Sequence, residues 1–271
     1  MKSAIRGRGA KHLCYCLTPM RYAWDQFDAY FGADRLGPAG SAVMRRAMAW
    51  MARWDKSTAG RADRYVAISH YVAGRIRRYY NRDATVIYPP VDTAFFTPAP
   101  AQPIGTPYAL VVSALVPYKR IDIAIDAARL AGIPLTIVGD GPERGRLGRD
   151  GGAGVTFLGR RSDDEIRELY RGAAVALLPG EEDFGIVPVE AQACGTPVVA
   201  LGRGGATETV LDGKTGVLVD DTSAPAFADG IARALSASFD RAAIRRNAER
   251  FSRERFVREI GDAMASLQDP R

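Results

Sequence analysis

Cysteine and histidine are scarce in this chain of 271 residues, which has three of the first and two of the second. Cys14 and Cys16 alternate as residues on one strand do, and with so few histidines a zinc site is not expected. A low, odd cysteine count fits a reduced, cytoplasmic setting. No apolar run approaches the ~20 residues that cross a bilayer, and the sequence opens on no secretory signal. No Asp-x-Asp pair occurs, and no repeat or low-complexity tract is present. Lysine is rare too, since 32 of the 37 cations are arginine. What is present is 47% hydrophobic content, enough for one large or two modest domains. The charge of +6 is unevenly spread: residues 1–82 hold 16 cations against 5 aspartates, and the remainder has an acidic excess. Codon bias enriches both halves alike, so the asymmetry points to an anionic partner for the first part. No nucleic-acid-binding motif accompanies the charge, so nucleic acid is not the expected partner.

Apolar runs and breakers alternate as β and α. Strands are expected at 13–17, 64–68 and 85–88, a short helix over 19–30, a longer one over 39–57, and a helix over 69–80 with Ser69 as its N-cap. Pro98, Pro100, Pro103 and Pro107 mark a linker over 98–107 between a partial first domain, 1–97, and a second domain over 108–250. Strands near 108–113, 134–138, 154–158, 174–178, 197–201 and 217–219 alternate there with helices, and Ser162 with Glu165 forms a capping box. Helices near 223–236, 240–250 and 253–267 follow; the segment 251–271 is free to pack back on the first domain. The expected fold class is α/β with a doubly wound parallel sheet.

The most informative stretch runs from Pro179 to Val199. A buried strand precedes it, Pro188 suits the first turn of a helix, and Gly195 suits its end. The backbone N–H groups of Phe184, Gly185, Ile186 and Val187 then face the carboxyl edge of the sheet, where they favour phosphate. Glu182 and Glu190 flank that helix start. Carboxylates repel phosphate, so their natural partners are hydroxyl donors on ribose or hexose. An anion site fringed by hydroxyl acceptors is a nucleotide-sugar pocket.

Glu182 and Glu190 resemble the Glu-x7-Glu signature of retaining glycosyltransferases of family 4, which have the GT-B architecture. Asp183-Phe184-Gly185 and Ala193-Cys-Gly-Thr-Pro197 complete the local pattern. The likeness continues in Ser113-Ala-Leu-Val-Pro-Tyr-Lys-Arg120, Val138-Gly-Asp-Gly-Pro-Glu143, Phe157-Leu-Gly159, Gly202-Arg-Gly-Gly205 and Tyr88-Pro-Pro-Val-Asp92. The resemblance implies that Lys119 and Arg120 neutralise the donor diphosphate and act with Glu182 as the catalytic set. An arginine common in that motif is Ala114 here, and Arg120 is the available substitute. Gly139 and Asp140 are expected near the donor, with Leu158 and Gly159 at its base and Glu190 on its ribose. Gly-x-Gly alone would not establish this. Cations at the leaving group do the work of a divalent ion, so no metal and no cofactor is expected.

Thr18-Pro-Met-Arg-Tyr-Ala-Trp-Asp25 resembles a stretch of the polysaccharide mannosyltransferases in that family, with Leu17 where a histidine is common. On that basis Arg21, Asp25 and Ser69 are candidates for the acceptor side. The implied function is transfer of mannose from GDP-mannose, with retention, to a saccharide on a lipid carrier in cell-surface polysaccharide assembly. A nucleotide-sugar 2-epimerase of the same architecture and a nucleotide-binding remnant are the alternatives. Helix 39–57 carries Met44, Met48, Met51, Trp50 and Trp54 beside Arg45, Arg46 and Arg53, a pattern that suits either core packing or an anionic membrane surface. Since only three strands are legible in the first part, its opening portion, on the order of 100 residues for such a domain, is expected to lie outside this sequence.

Overall fold

The computed structural model describes residues 9–100 and 105–268, with Ala4 and Gly7. Its contacts divide the chain into two compact units, Met1–Tyr88 with Phe256–Arg271, and Pro89–Arg255.

The first unit is built from β1 (Leu13–Cys16), α1 (Arg21–Trp24), α2 (Phe27–Phe31), α3 (Ala33–Ser57), β2 (Arg64–Ala67), α4 (His70–Tyr80) and β3 (Ala84–Val86). Its strands are parallel in the order β1-β2-β3. Tyr65, Val66 and Ala67 are buried, as the middle strand of a covered parallel sheet requires. The Ser69 hydroxyl accepts from the Val72 N–H and starts α4, and Asn81 closes it in the left-handed region at φ 54°. The last helix, α12 (Arg253–Gln268), packs on this unit from Phe256 onward. There Phe256 meets Tyr15 edge to face at 5.6 Å, and Arg64 donates to the Ala263 carbonyl at 3.3 Å.

Two helical expectations change here. The single helix over 19–30 is split into α1 and α2. Asp25 ends α1 because its carboxylate binds the Arg75 guanidinium and the Tyr79 hydroxyl of α4, 50 and 54 residues later in the chain. The helix expected over 39–57 is continuous from Pro38, and Ala33–Ser57 counts as one element only across a kink at Gly37 (φ 71°, ψ 166°). Pro38 then occupies a first-turn position, where its missing N–H costs nothing.

The second unit contains β4 (Ala109–Val112), α5 (Ile121–Ala131), β5 (Leu135–Val138), α6 (Arg144–Asp150), β6 (Val155–Gly159), α7 (Asp163–Gly172), β7 (Val175–Leu178), α8 (Ile186–Ala193), β8 (Val198–Leu201), α9 (Ala206–Thr209), β9 (Gly216–Val219), α10 (Ala224–Ser236) and α11 (Arg241–Glu249). Its sheet is parallel throughout in the order β6-β5-β4-β7-β8-β9. Strands β7 and β8, Val-Ala-Leu-Leu and Val-Val-Ala-Leu, are buried at every position. Phe227 and Ile231 of α10 and Ile123 and Ala127 of α5 join Ile137, Leu177 and Val199 in one apolar core. Each fully buried side chain of that size stabilises the fold by about 1.5–3 kcal/mol.

The proline-rich stretch is not where the units divide. Residues 89–97 belong to the second unit because arginines grip their backbone. Arg171 donates to the Thr97 carbonyl at 2.6 Å, Arg245 donates to the Thr93 carbonyl at 2.6 Å, and the Val91 N–H bonds the Phe251 carbonyl at 2.9 Å. Part of the expected linker, residues 101–104, lies outside the described residues.

Candidate functional site

The strand order of the second unit reverses between β4 and β7, and at such a switch point the loops leaving two adjacent strands diverge and open a crevice. Lys119 and Glu182 meet there. Lys119 ends a short 3-10 turn after β4, Glu182 lies in the loop after β7, and the Lys119 ammonium donates to Glu182 Oε1. Both side chains are largely covered, at 18% and 11% exposure, so each charge relies on the other. The Lys119 ammonium also stands 5.2 Å from the centre of the Tyr118 ring.

Close backbone contacts hold these loops together. A Cβ at Gly180 would stand 2.6 Å from the Tyr118 carbonyl oxygen, so the β7 and β4 loops abut because this residue has no side chain. A Cβ at Gly205 would stand 2.3 Å from Phe184 Cα, and the Gly205 N–H donates to the Glu182 carbonyl at 2.8 Å. The backbone that carries Glu182 is therefore fixed from the α9 side as well.

Helix α8 starts directly after this loop, behind Gly185 in the left-handed region at φ 86°. Among the described residues, no protein acceptor meets the N–H of Gly185, Ile186 or Val187. Such unpaired donors and the positive end of the helix favour an anion. Phe184 contributes backbone alone, since its ring is buried against Phe251 at 5.4 Å. Ile186 is 46% exposed.

Glu190 follows one turn into α8. Its Oε2 accepts the Tyr170 hydroxyl at 3.1 Å. Part of its surface stays open, but protein atoms surround it closely enough that desolvation raises its carboxyl to about 7. The Tyr170 hydrogen bond opposes that rise and the Asp163 charge adds to it.

The other expected donor residues lie on neighbouring loops at the same edge. Gly139 and Asp140 follow β5, where Asp140 Oδ1 accepts the Gly141 N–H at 2.8 Å. Leu158 and Gly159 end β6, and the Gly159 carbonyl accepts the Gly139 N–H at 2.8 Å. Arg120 directly follows the 3-10 turn that Lys119 ends. It precedes α5 as a left-handed N-cap at φ 51°, and its Nη2 donates to Asp122 at 3.1 Å. A cation just before the helix is thus neutralised by a first-turn acid.

The acceptor-side candidates lie in the first unit. The Asp25 carboxylate is taken by Arg75 and Tyr79, and Arg75 also donates to the Thr18 hydroxyl at 2.9 Å. Trp24 stacks on Tyr79 at 4.6 Å and donates to Asp55 at 2.9 Å. Segment 18–25 is therefore pinned to α4 and α3. Arg21 begins α1 and is not Asp25's partner. Ser69 is fully buried and caps α4. Tyr170 and the backbone-gripping Arg171 and Arg245 escape sequence reasoning, because their partners are remote and no local pattern marks them.

A doubly wound sheet with paired charges at its switch point and an open helix N-terminus beside them is an α/β arrangement suited to an anionic ligand. The family described as glycosyl transferases group 1 matches residues 95–251, and the one described as Glycosyltransferase Family 4 matches residues 37–95. The chain belongs to the group 1 glycosyl transferases. Among curated proteins it is similar to D-inositol 3-phosphate glycosyltransferase of Salinispora arenicola, 34% identical over 257 residues that cover 78% of this chain and 57% of that one. The enzyme of the same description from Mycolicibacterium smegmatis is 34% identical over 67% of this chain and 47% of its own length. The chain thus spans about half the length of the curated relatives it matches. Sucrose-phosphate synthase of Thermosynechococcus elongatus superposes with a TM-score of 0.71 at 27% identity, covering 94% of this chain and 67% of that structure. HepE of Anabaena in complex with UDP and glucose gives 0.69 at 25% identity, covering 79% and 66%. The fold is that of the GT-B glycosyltransferases. The relatives matched are inositol phosphate glycosyltransferases, so the narrower likeness to mannosyltransferases of polysaccharide assembly is not the one these comparisons favour.

Proposed function

We propose that the protein transfers a hexosyl group, with retention, from a nucleotide sugar bound at the β4–β7 switch point. The observation that carries this is the placement of Lys119, Glu182 and the open first turn of α8 around one crevice. Lys119 and the α8 N–H groups receive the diphosphate, and Glu190 accepts from the ribose. The leaving diphosphate gains charge as the glycosidic bond breaks, so donors fixed in advance act mainly on the transition state. Lys119 must exchange Glu182 for phosphate, which frees Glu182 to accept from the sugar. No divalent ion is needed in this scheme, and Arg120 adds a second cation once drawn from Asp122.

GDP-mannose is the proposed donor and a saccharide on a lipid diphosphate the proposed acceptor, supported by segment 18–25 and by the basic first part. The UDP and glucose held by HepE support a uridine donor instead. Incubation with GDP-mannose or UDP-glucose, with and without lipid-linked acceptor, separates the readings. The expected result is acceptor-dependent release of nucleoside diphosphate, unaffected by chelator, with the anomeric configuration kept. Interconversion of the free nucleotide sugar without acceptor would favour the isomerase, and tight nucleotide binding with no turnover the remnant. Turnover abolished by chelator would overturn the metal-free scheme.

A second proposal is contact of the first unit with an anionic membrane surface. No described helix is long and apolar enough to cross a membrane. On α3, however, Val43, Trp50 and Trp54 are 67%, 60% and 41% exposed, opposite the buried Ser41, Ala52 and Asp55. Arg46 and Arg53, both exposed, lie along one side of that outward stripe. Co-sedimentation with anionic but not neutral vesicles, lost in Trp50→Ser with Trp54→Ser, is expected; binding that survives both changes would refute the assignment.

A further inference from the structure

Tyr170 lies on α7 with no exposed surface, and its hydroxyl donates to Glu190 Oε2 at 3.1 Å. Its ring meets Phe96 edge on at 5.9 Å, and its carbonyl accepts the Thr196 hydroxyl, so the phenol cannot swing away. The other carboxylate oxygen, Oε1, accepts from no protein group among the described residues. A buried phenol needs a partner, and one aimed at a carboxylate fixes the orientation of that carboxylate.

We propose that Tyr170 is a positioning residue for the donor: it locks Glu190 in one orientation and favours its ionised form, so that Oε1 can accept from the ribose. This rests on the ribose role given to Glu190 above. A neutral carboxyl would present a hydroxyl of its own and lose acceptor strength. Burial favours that neutral form, and a donated hydrogen bond favours the ionised one. Few other groups act on Glu190. Asp163, on the same helix as Tyr170, raises its proton affinity. Cys194, the C-cap of α8, has its thiol pushed up to about 12 by burial and is neutral. Arg245 of α11 donates to the carbonyls of Ala193, Thr93 and Phe96.

Calorimetry with GDP and with UDP across pH tests the inference in wild type, Tyr170→Phe and Glu190→Gln. The diphosphate itself titrates in this range, and Glu190→Gln supplies that baseline. Wild-type affinity, corrected for it, should rise with pH through about 7, where the Glu190 carboxyl ionises. In Tyr170→Phe the midpoint should move up, with binding about tenfold weaker at neutral pH, the size of one hydrogen bond to a charged group, and partial recovery in alkali. A shared midpoint in wild type and Tyr170→Phe, with Glu190→Gln still removing the pH dependence, would overturn the positioning role and leave the ribose role standing. Wild-type affinity in Glu190→Gln at every pH would remove both. Should Tyr170→Phe not fold, fluorotyrosine at position 170 provides a stronger donor of nearly the same shape. It must lower the midpoint, and an unchanged midpoint overturns the inference.

Discussion

Single side chains in this protein are governed by partners remote in sequence. Lys119 and Glu182 are 63 residues apart and largely covered, so each is tolerable only because the other is present. Glu190 differs, with a hydrogen-bond donor but no counter-ion among the described residues, and its raised proton affinity has a consequence for stability. Between the usual carboxyl value of 4.5 and about 7 the folded protein keeps a proton that the unfolded chain has released. Stability therefore falls as pH rises through that window, by on the order of 3 kcal/mol if the full shift is realised. Urea unfolding at about pH 5 and about pH 8 should show this loss in wild type and not in Glu190→Gln. Parallel behaviour of the two would mean that Glu190 ionises normally in the free protein.

At the scale of elements, the sequence is legible wherever local chemistry decides. Strands β4 to β9 fall within a residue or two of their expected places because short apolar runs are bounded by glycine, proline or polar turns. The Ser162–Glu165 capping box forms as expected, since both partners lie within one turn. The same holds for the Ser69 cap and for the Gly195 exit from α8, at φ 79°. Legibility ends where distant charges intervene. The break at Asp25 needs Arg75 and Tyr79, and the division at Tyr88 needs Arg171 and Arg245. The motifs that single out Lys119, Glu182 and the α8 start are legible in the sequence, but the Arg120–Asp122 pair and the Tyr170–Glu190 bond are not. Loop abutment offers a direct test. Gly205→Ala forces its Cβ to within 2.3 Å of Phe184 Cα, so the α9 and α8 loops must separate. A loss of about 1–3 kcal/mol in unfolding free energy is expected for such overpacking, with nucleotide affinity falling more than Tm would suggest. Gly145→Ala, with nothing within 4 Å of the added Cβ, should leave both unchanged or raise stability slightly. Equal effects of the two substitutions would refute the abutment argument.

At the scale of the whole molecule, two units share the chain's chemistry unequally. The second has the complete doubly wound sheet, the paired charges and the helix start suited to a diphosphate. The first has a three-stranded parallel sheet, the pinned segment 18–25 and the outward aromatic stripe of α3. Residues 1–82 hold 16 cations against 5 aspartates, and under the proposed function that positive charge would attract an anionic acceptor carrier rather than the donor. The central claim is that donor binding belongs to the loops at the carboxyl edge of the second sheet. Amide hydrogen exchange of the full chain, with and without GDP-mannose or UDP-glucose, tests it most directly, because exchange reports each loop separately. The expected result is slowed exchange at residues 113–120, 139–143, 180–190 and 202–206, with α3 unchanged. Unaltered exchange in those four loops at saturating donor, or protection confined to the first unit, would contradict it.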